Sequence, residues 1–345
     1  MITNFIDSYI DSFCLHKVGN KSTDEGINLS KRIIEVEPEL KKLLTHYFVS
    51  HFKSDEFYNF HHETDLKYNE VYNFIRNIFE DKSSLYKNSV DLAKHLYEKS
   101  THPKVRGGEF YIVYFENCII DNSHVDVIGL FKSENKDTFL KVYPSGEDFK
   151  IESQQGININ KLDKGCLIFK KDKEKGYIVS IIDNVGRGTD VAHYWKDDFL
   201  QITPRKDEYF YTENIISLCK NFTSNNPKVD LTQKADILNK TVSFFKENET
   251  FDMNDFSNQI MEEDSMIKAF QQYRSQYEQE RDIRLEDDFN ISLEALKKQV
   301  RTIKNTIKLD NNFKISIDGD VSYMEKGYDA EKRMNYYKLY FREEE

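Results

Sequence analysis

The sequence predicts an α+β fold: a helix-covered, mainly antiparallel sheet, followed by a helical domain with a small C-terminal β element. Three observations carry this. Apolar residues recur at helical spacing through much of residues 37–100, strand-like runs joined by short polar turns fill 108–183, and helical spacing returns from about residue 190 to 304. No helical segment separates the middle runs, which points to antiparallel rather than parallel neighbours. At 345 residues the chain exceeds the usual size of one core. Two domains are therefore expected, residues 1–190 (α+β) and residues 191–345 (helical, ending in a hairpin-like β element).

Taken in order, Ile10–Val18 reads as a strand, Gly19-Asn20 as its turn, and Ile27–Ile34 as a returning partner. Glu37–Phe52 reads as an amphipathic helix with Leu40, Leu43, Leu44, Tyr47, Phe48 and His51 on one face and Pro38 in the first turn. Asn69–Glu80 and Ser84–Ser100 repeat that periodicity. These long helices are expected to cover one face of the sheet. Gly108–Phe115, Val125–Lys132, Thr138–Tyr143, Gly165–Lys170 and Gly176–Asp183 are rich in β-branched and aromatic residues, with Lys171–Lys175 as a charged hairpin turn.

Val191–Gln201 returns to helix, and Pro204 breaks it. Thr212–Phe222, Leu231–Lys246, Met253–Met261 and Ser265–Arg281 follow as helices, with Asp252 and Asp264 as N-caps of the last two. Phe313–Ile317 and Met334–Phe341 are strand-like, and Asp318-Gly319-Asp320 is a turn.

Charged residues make up 32% and aromatics 14% of the chain, a composition that builds a packed globular core rather than a disordered one. The net charge is −11, which argues against a protein that coats DNA with a generally basic surface. Any polyanion must be met through a local patch. Cys14, Cys118, Cys166 and Cys219 are scattered without a CxxC pair and read as reduced, buried thiols of a cytoplasmic protein. The N-terminus has no basic n-region, and no apolar run is long enough to span a membrane.

The local patch is a charge reversal. Residues 247–288 hold 13 Asp/Glu against 4 Lys/Arg, whereas residues 290–308 hold 5 Lys/Arg against 1 Glu. Ser292 is placed to cap a helix over Leu293–Ile303, with Leu293, Ala295 or Leu296, Val300 and Ile303 on the buried side. Lys297, Lys298, Arg301 and Lys304 then face water, and Lys308 continues the row where strand already begins. Such a row neutralises a few phosphates. The bland reading is that it balances the acidic helices just before it, above all Glu278–Asp288.

Other constellations are weaker. His61-His62-Glu63 lacks the spacing of a metal site and suits a surface or capping role; His124 and His193 read as structural. Asp126, Glu134 and Lys136 match the residue types of a metal-dependent nuclease core, but Glu134 falls in a polar turn, SENKDT, where a carboxylate is too mobile for a preorganised site. Gly186-Arg187-Gly188 is too short to cradle phosphates, and Arg187 pairs most simply with Asp190 or Asp197. Tyr336, Lys338 and Tyr340 alternate onto one side of a strand and offer a Tyr-Lys-Tyr face, with Tyr337, Leu339 and Phe341 opposite.

The order of these stretches carries a likeness. LHKVGN at residues 15–20, GEFYIVYF followed by VDVIGLFK, KLDKGCLIF leading to YIVSIIDNVGRGTDVAHYWKDDFL, and closing strands after Asn312 and at Lys338–Phe341 together resemble the bacterial nucleoid-associated proteins of the YejK/NdpA type. The resemblance spans nearly the whole chain. It implies a cytoplasmic protein associated with the nucleoid through DNA or a DNA-bound partner, with no cofactor and no catalytic signature. The candidate DNA contacts, Lys297, Lys298, Arg301, Lys304 and Lys308, come from charge spacing alone. The function expected is DNA association without catalysis. The alternatives are an adaptor that binds another protein through Glu262–Asp264 and Glu278–Asp288, and a metal-dependent nuclease.

Overall fold

The computed structural model describes residues 3–185, 194–227, 229–303, 306–310, 312–316 and 323–343. Lys304, the Gly186-Arg187-Gly188 segment with Arg187's expected ion pair, His193, the turn at Asp318-Gly319-Asp320 and the last two residues lie outside them. The chain divides into two compact units, Met1–Arg205 and Lys206–Glu345.

In the first unit β1 (Thr3–Asn4), β2 (Tyr9–Val18), β3 (Ile27–Leu29), helix α1 (Pro38–Val49) and β4 (Tyr58–Phe60) precede α2 (Glu70–Glu80) and α3 (Leu85–Lys99). Long strands follow: β5 (Gly108–Ile120), β6 (Ser123–Ser133), β7 (Asp137–Ser145), β8 (Asp148–Gly156), β9 (Lys164–Phe169) and β10 (Ile178–Asp183). A π-helical segment, Tyr194–Leu200, and β11 (Ile202–Pro204) close the unit. The main sheet runs β11-β4-β10-β9-β6-β5-β2-β3, with β1 also on β5, and every described pairing in it is antiparallel.

Its centre is buried on both faces. Along β5, Phe110, Ile112 and Tyr114 pack with α2 and α3 residues such as Ile75, Ile78, Leu92 and Leu96. The alternate residues Tyr111, Val113 and Phe115 pack with Tyr47 and Phe48 of α1. The expectation of helices on one face is therefore corrected: α1 covers the other. This explains why the strands read as unbroken apolar runs rather than as an in-out alternation. Helix α1 buries a narrower stripe than its periodicity suggested, since Leu40 and Leu43 stay exposed. Pro38 takes the first helical turn as expected, and Asn69 caps α2 by accepting from Tyr72 N–H.

The Lys171–Lys175 turn forms between β9 and β10, and it needs glycine at its end. Gly176 has φ +91°, and a Cβ there would meet the Phe60 carbonyl at 2.3 Å. Strand β7 departs from expectation: it pairs with β8, unforeseen in the sequence, as a separate two-stranded arm. β4 and β11, three residues each, were also unforeseen, and β11 holds Pro204 at the sheet's edge, where a missing N–H is tolerated.

The second unit contains α4 (Glu208–Asn225), α5 (Leu231–Glu247), β12 (Thr250–Asp252), α6 (Met253–Met261), α7 (Asp264–Arg281), β13 (Asp288–Asn290) and α8 (Leu293–Val300). Two hairpins end it: β14 (Thr306–Leu309) with β15 (Phe313–Ser316), and β16 (Met324–Asp329) with β17 (Met334–Leu339). Its core is a phenylalanine cluster in which Phe251 stacks on Phe245 and on Phe289 at 5.5 and 4.7 Å between centroids. Asp252 caps α6 as expected. The cap of α7 is Glu263, with Asp264 one position inside the helix.

Candidate nucleic-acid interface

Helix α8 positions the cationic row. Its start is fixed by Ser292, whose Oγ accepts from Ala295 N–H at 3.3 Å, while Ser292 N–H donates to the buried Thr212 hydroxyl at 2.9 Å. Ala295, Leu296 and Gln299 form the buried face against α4 and α5. Leu293, expected on that face, is exposed. The helix ends at Val300, three residues short of the expected Ile303, so Arg301 is its C-cap. The row is consequently not one helical face: Lys297, Lys298 and Arg301 belong to α8 and its cap, and Lys308 to β14.

The members differ electrostatically. Lys297 meets Glu294 at 2.6 Å, both well exposed. An exposed pair one turn apart on a helix is worth only about 0.3–0.5 kcal/mol, so an incoming phosphate can displace it. Lys298 meets Glu213 at 3.3 Å and lies over the Tyr209 ring at 5.4 Å. The same Glu213 accepts from Gln299 Nε2 at 2.9 Å. Beneath them Lys220 donates to Thr302 Oγ1 at 2.6 Å, and burial lowers its pKa from the ordinary lysine value.

Sequence reading missed Lys314. In the β14–β15 hairpin Ile307 faces Ile315, and Lys308 faces Lys314. The isoleucines turn toward a small cluster with Ala235, Met324 and Tyr337, and both lysines turn to solvent. Among the described residues no carboxylate pairs with Arg301, Lys308 or Lys314. Each lysine sits between apolar neighbours, a period-2 pattern that marks an outward position once the hairpin register is known.

Among the described residues, part of the acidic stretch pairs with bases outside the row. Arg274 holds Glu278 and Asp287 at 3.3 and 2.6 Å, and Lys240 holds Glu262 at 2.6 Å. Tyr336 and Lys338 on β17 and Tyr340 just after it are exposed, but Lys338 and Tyr340 both contact Glu325, at 3.3 and 2.9 Å.

The nuclease-like triad is not brought together. Asp126 lies within β6 and Glu134 just beyond its end, about 25 Å apart at strand rise. Asp126 accepts from Tyr114 Oη and pairs with Lys170, and Lys136 pairs with Glu109. Glu134 is not in a mobile turn but deeply buried. Its carboxylate meets Lys132 at 3.1 Å and accepts from Tyr194 Oη at 2.5 Å. Lys132, itself fully buried, lies directly across the strand pair from Lys164, which pairs with Asp183 at 2.6 Å. Burial lowers the pKa of Lys132 and raises those of Asp183 and Tyr194. The two lysines flank the Tyr194 ring at 5.3 and 5.0 Å, a charged seam that ties the π-helical segment to the sheet.

His62 Nδ1 accepts from Thr64 N–H, and His124 Nδ1 contacts Asn117 Oδ1 at 2.8 Å. Among the described residues no group of His, Cys, Asp and Glu is arranged to hold a metal ion, and no helix is long and apolar enough to cross a membrane.

No curated protein matches the chain. A family model described as nucleoid-associated protein YejK matches residues 14–334. That match covers the sheet unit from within β2 and runs through the helices and hairpins of the second unit to the start of β17. The chain belongs to the family of nucleoid-associated protein YejK.

Proposed function

We propose that this nucleoid-associated chain contacts DNA directly and without catalysis, through the cations of α8 and the β14–β15 hairpin. The observation that supports this reading most is the Lys308–Lys314 pair. Two like charges directly opposite on one hairpin face cost stability unless an anion lies on them. They stand in a chain of net charge −11, on a hairpin whose inward face is apolar. Lys297, Lys298, Arg301, Lys304 and Lys308 from the sequence reading, with Lys314 added, form the proposed contact. Phosphate contacts of this kind position a protein on the duplex and carry no base information, so the binding is shape-tolerant.

Charge reversal tests it. Lys308→Glu/Lys314→Glu and Lys297→Glu/Arg301→Glu are each compared with the parent for binding a labelled duplex by fluorescence anisotropy at low salt. Each double change is expected to weaken binding at least about tenfold, irrespective of duplex sequence. Affinity unchanged in both variants, or none measurable in the parent, contradicts direct contact through these residues and leaves the adaptor reading in its place.

A further inference from the structure

The β7–β8 arm is an insertion between the paired strands β6 and β9, and its two faces differ sharply. One face carries Phe139, Lys141 and Tyr143 opposite Gln154, Glu152 and Lys150. Its polar groups engage one another: Tyr143 Oη donates to Glu152, and Lys141 lies over the Tyr143 ring at 5.8 Å. The other face carries Leu140, Val142 and Pro144 opposite Ser153, Ile151 and Phe149. It has no charged residue, and Leu140, Val142, Phe149 and Ile151 are 69, 57, 73 and 66% exposed. A lone hairpin with one apolar face is marginal in water.

The base of the arm is nevertheless rigidly held. Asp163 Oδ2 accepts from Glu134 N–H and Asn135 N–H at 2.7 and 2.8 Å, and its Oδ1 accepts from Asn135 Nδ2 at 2.8 Å. Asp137 is clamped by Asn158 and Lys161 at 2.7 and 2.9 Å. A preorganised arm loses little freedom on binding.

We infer that this apolar face is a dimerisation surface, occupied by the same face of a second copy across a two-fold axis. The charge pattern selects that occupant. Residues 137–156 hold four acids, Asp137, Glu147, Asp148 and Glu152, against Lys141 and Lys150, so the arm repels a phosphate backbone. The exposed face itself offers no charge to a polar partner, and an uncharged patch lets two copies of an acidic chain meet without like-charge contact. The area is sufficient: the four large side chains expose about 500 Å², so two copies cover about 1,000 Å², where specific interfaces begin. Isologous packing is also the commonest closed arrangement for identical chains.

Sedimentation velocity on the full chain, free of DNA and from about 1 to about 100 µM, tests the inference. The parent is expected to pass from monomer to dimer, with a midpoint unchanged between about 0.1 and about 1 M salt because the contact is apolar. Ile151→Lys buries a like-charge pair at the axis and is expected to weaken association at least about 100-fold. A second variant, Val142→Cys, reads the geometry independently. The four native cysteines are buried, so a short bis-maleimide is expected to join two arms and yield a covalent dimer. A parent that stays monomeric throughout the range, a dimer that survives Ile151→Lys, or a Val142→Cys chain that does not cross-link as a dimer each overturns the inference.

Discussion

His16 shows how a single residue records its surroundings. It lies inside the sheet, with Nε2 at 3.0 Å from Ser89 Oγ and Nδ1 accepting from Ser30 N–H at 3.2 Å. Burial holds its pKa down at about 4 against an ordinary 6.5. The folded state therefore takes up its proton less readily than the unfolded chain. The stability so conferred is complete above pH 6.5 and is lost as pH falls toward 4, approaching roughly 3 kcal/mol. Urea unfolding of the parent and of His16→Gln at pH 7, 5.5 and 4.5 is expected to show a steeper acid loss in the parent. Parallel losses would remove His16 as the cause. Nothing local in LHKVGN marks this histidine as buried, because Ser30 and Ser89 reach it from elsewhere in the chain. Glu134 teaches the same lesson more strongly. Its neighbours SENKDT look like solvent-facing turn, yet Lys132 and Tyr194, 60 residues away in sequence, draw it inside. Breaking that buried pair from one side is the kind of change that costs about 3–5 kcal/mol.

Elements were legible where the periodicity was long. Helices α2, α3, α5 and α6 fall where apolar spacing puts them, because one face of each is buried continuously. β4 and β11 were not, since three residues carry no period and their existence depends on pairing. β8 was missed for another reason: Phe149, Ile151 and Ser153 do alternate, but they alternate toward solvent rather than toward a core. Of the candidate site, the start of α8 was legible through its Ser292 cap, and its early end was not. At this scale the arm's base gives a prediction. Asp163→Ala removes the acceptor of Glu134 and Asn135 N–H groups and is expected to cost about 0.5–2 kcal/mol, as loss of a comparable cap does. Hydrogen exchange is expected to accelerate at residues 134 and 135 while the amides of β5 stay protected. Unchanged exchange at those two positions would show that the arm is held by something other than Asp163.

For the whole molecule, charge is organised rather than absent. The chain carries 60 acids against 49 bases, yet exposed cations gather at the end of α8 and on one hairpin, while the acids of the preceding stretch are partly engaged by Arg274 and Lys240. A net negative protein can then meet a polyanion only at short range, where a few cations outweigh the distant repulsion within the Debye length. Family membership sets this surface in a nucleoid-associated protein. The most direct measurement is the salt dependence of duplex binding, followed from about 50 to about 200 mM salt. Direct contact by the α8 and hairpin cations gives a slope of log affinity against log salt of roughly −3 to −5, and Lys308→Glu/Lys314→Glu flattens it by about 2. A flat parent slope, or a steep one that the double change leaves intact, would contradict a DNA contact at this site.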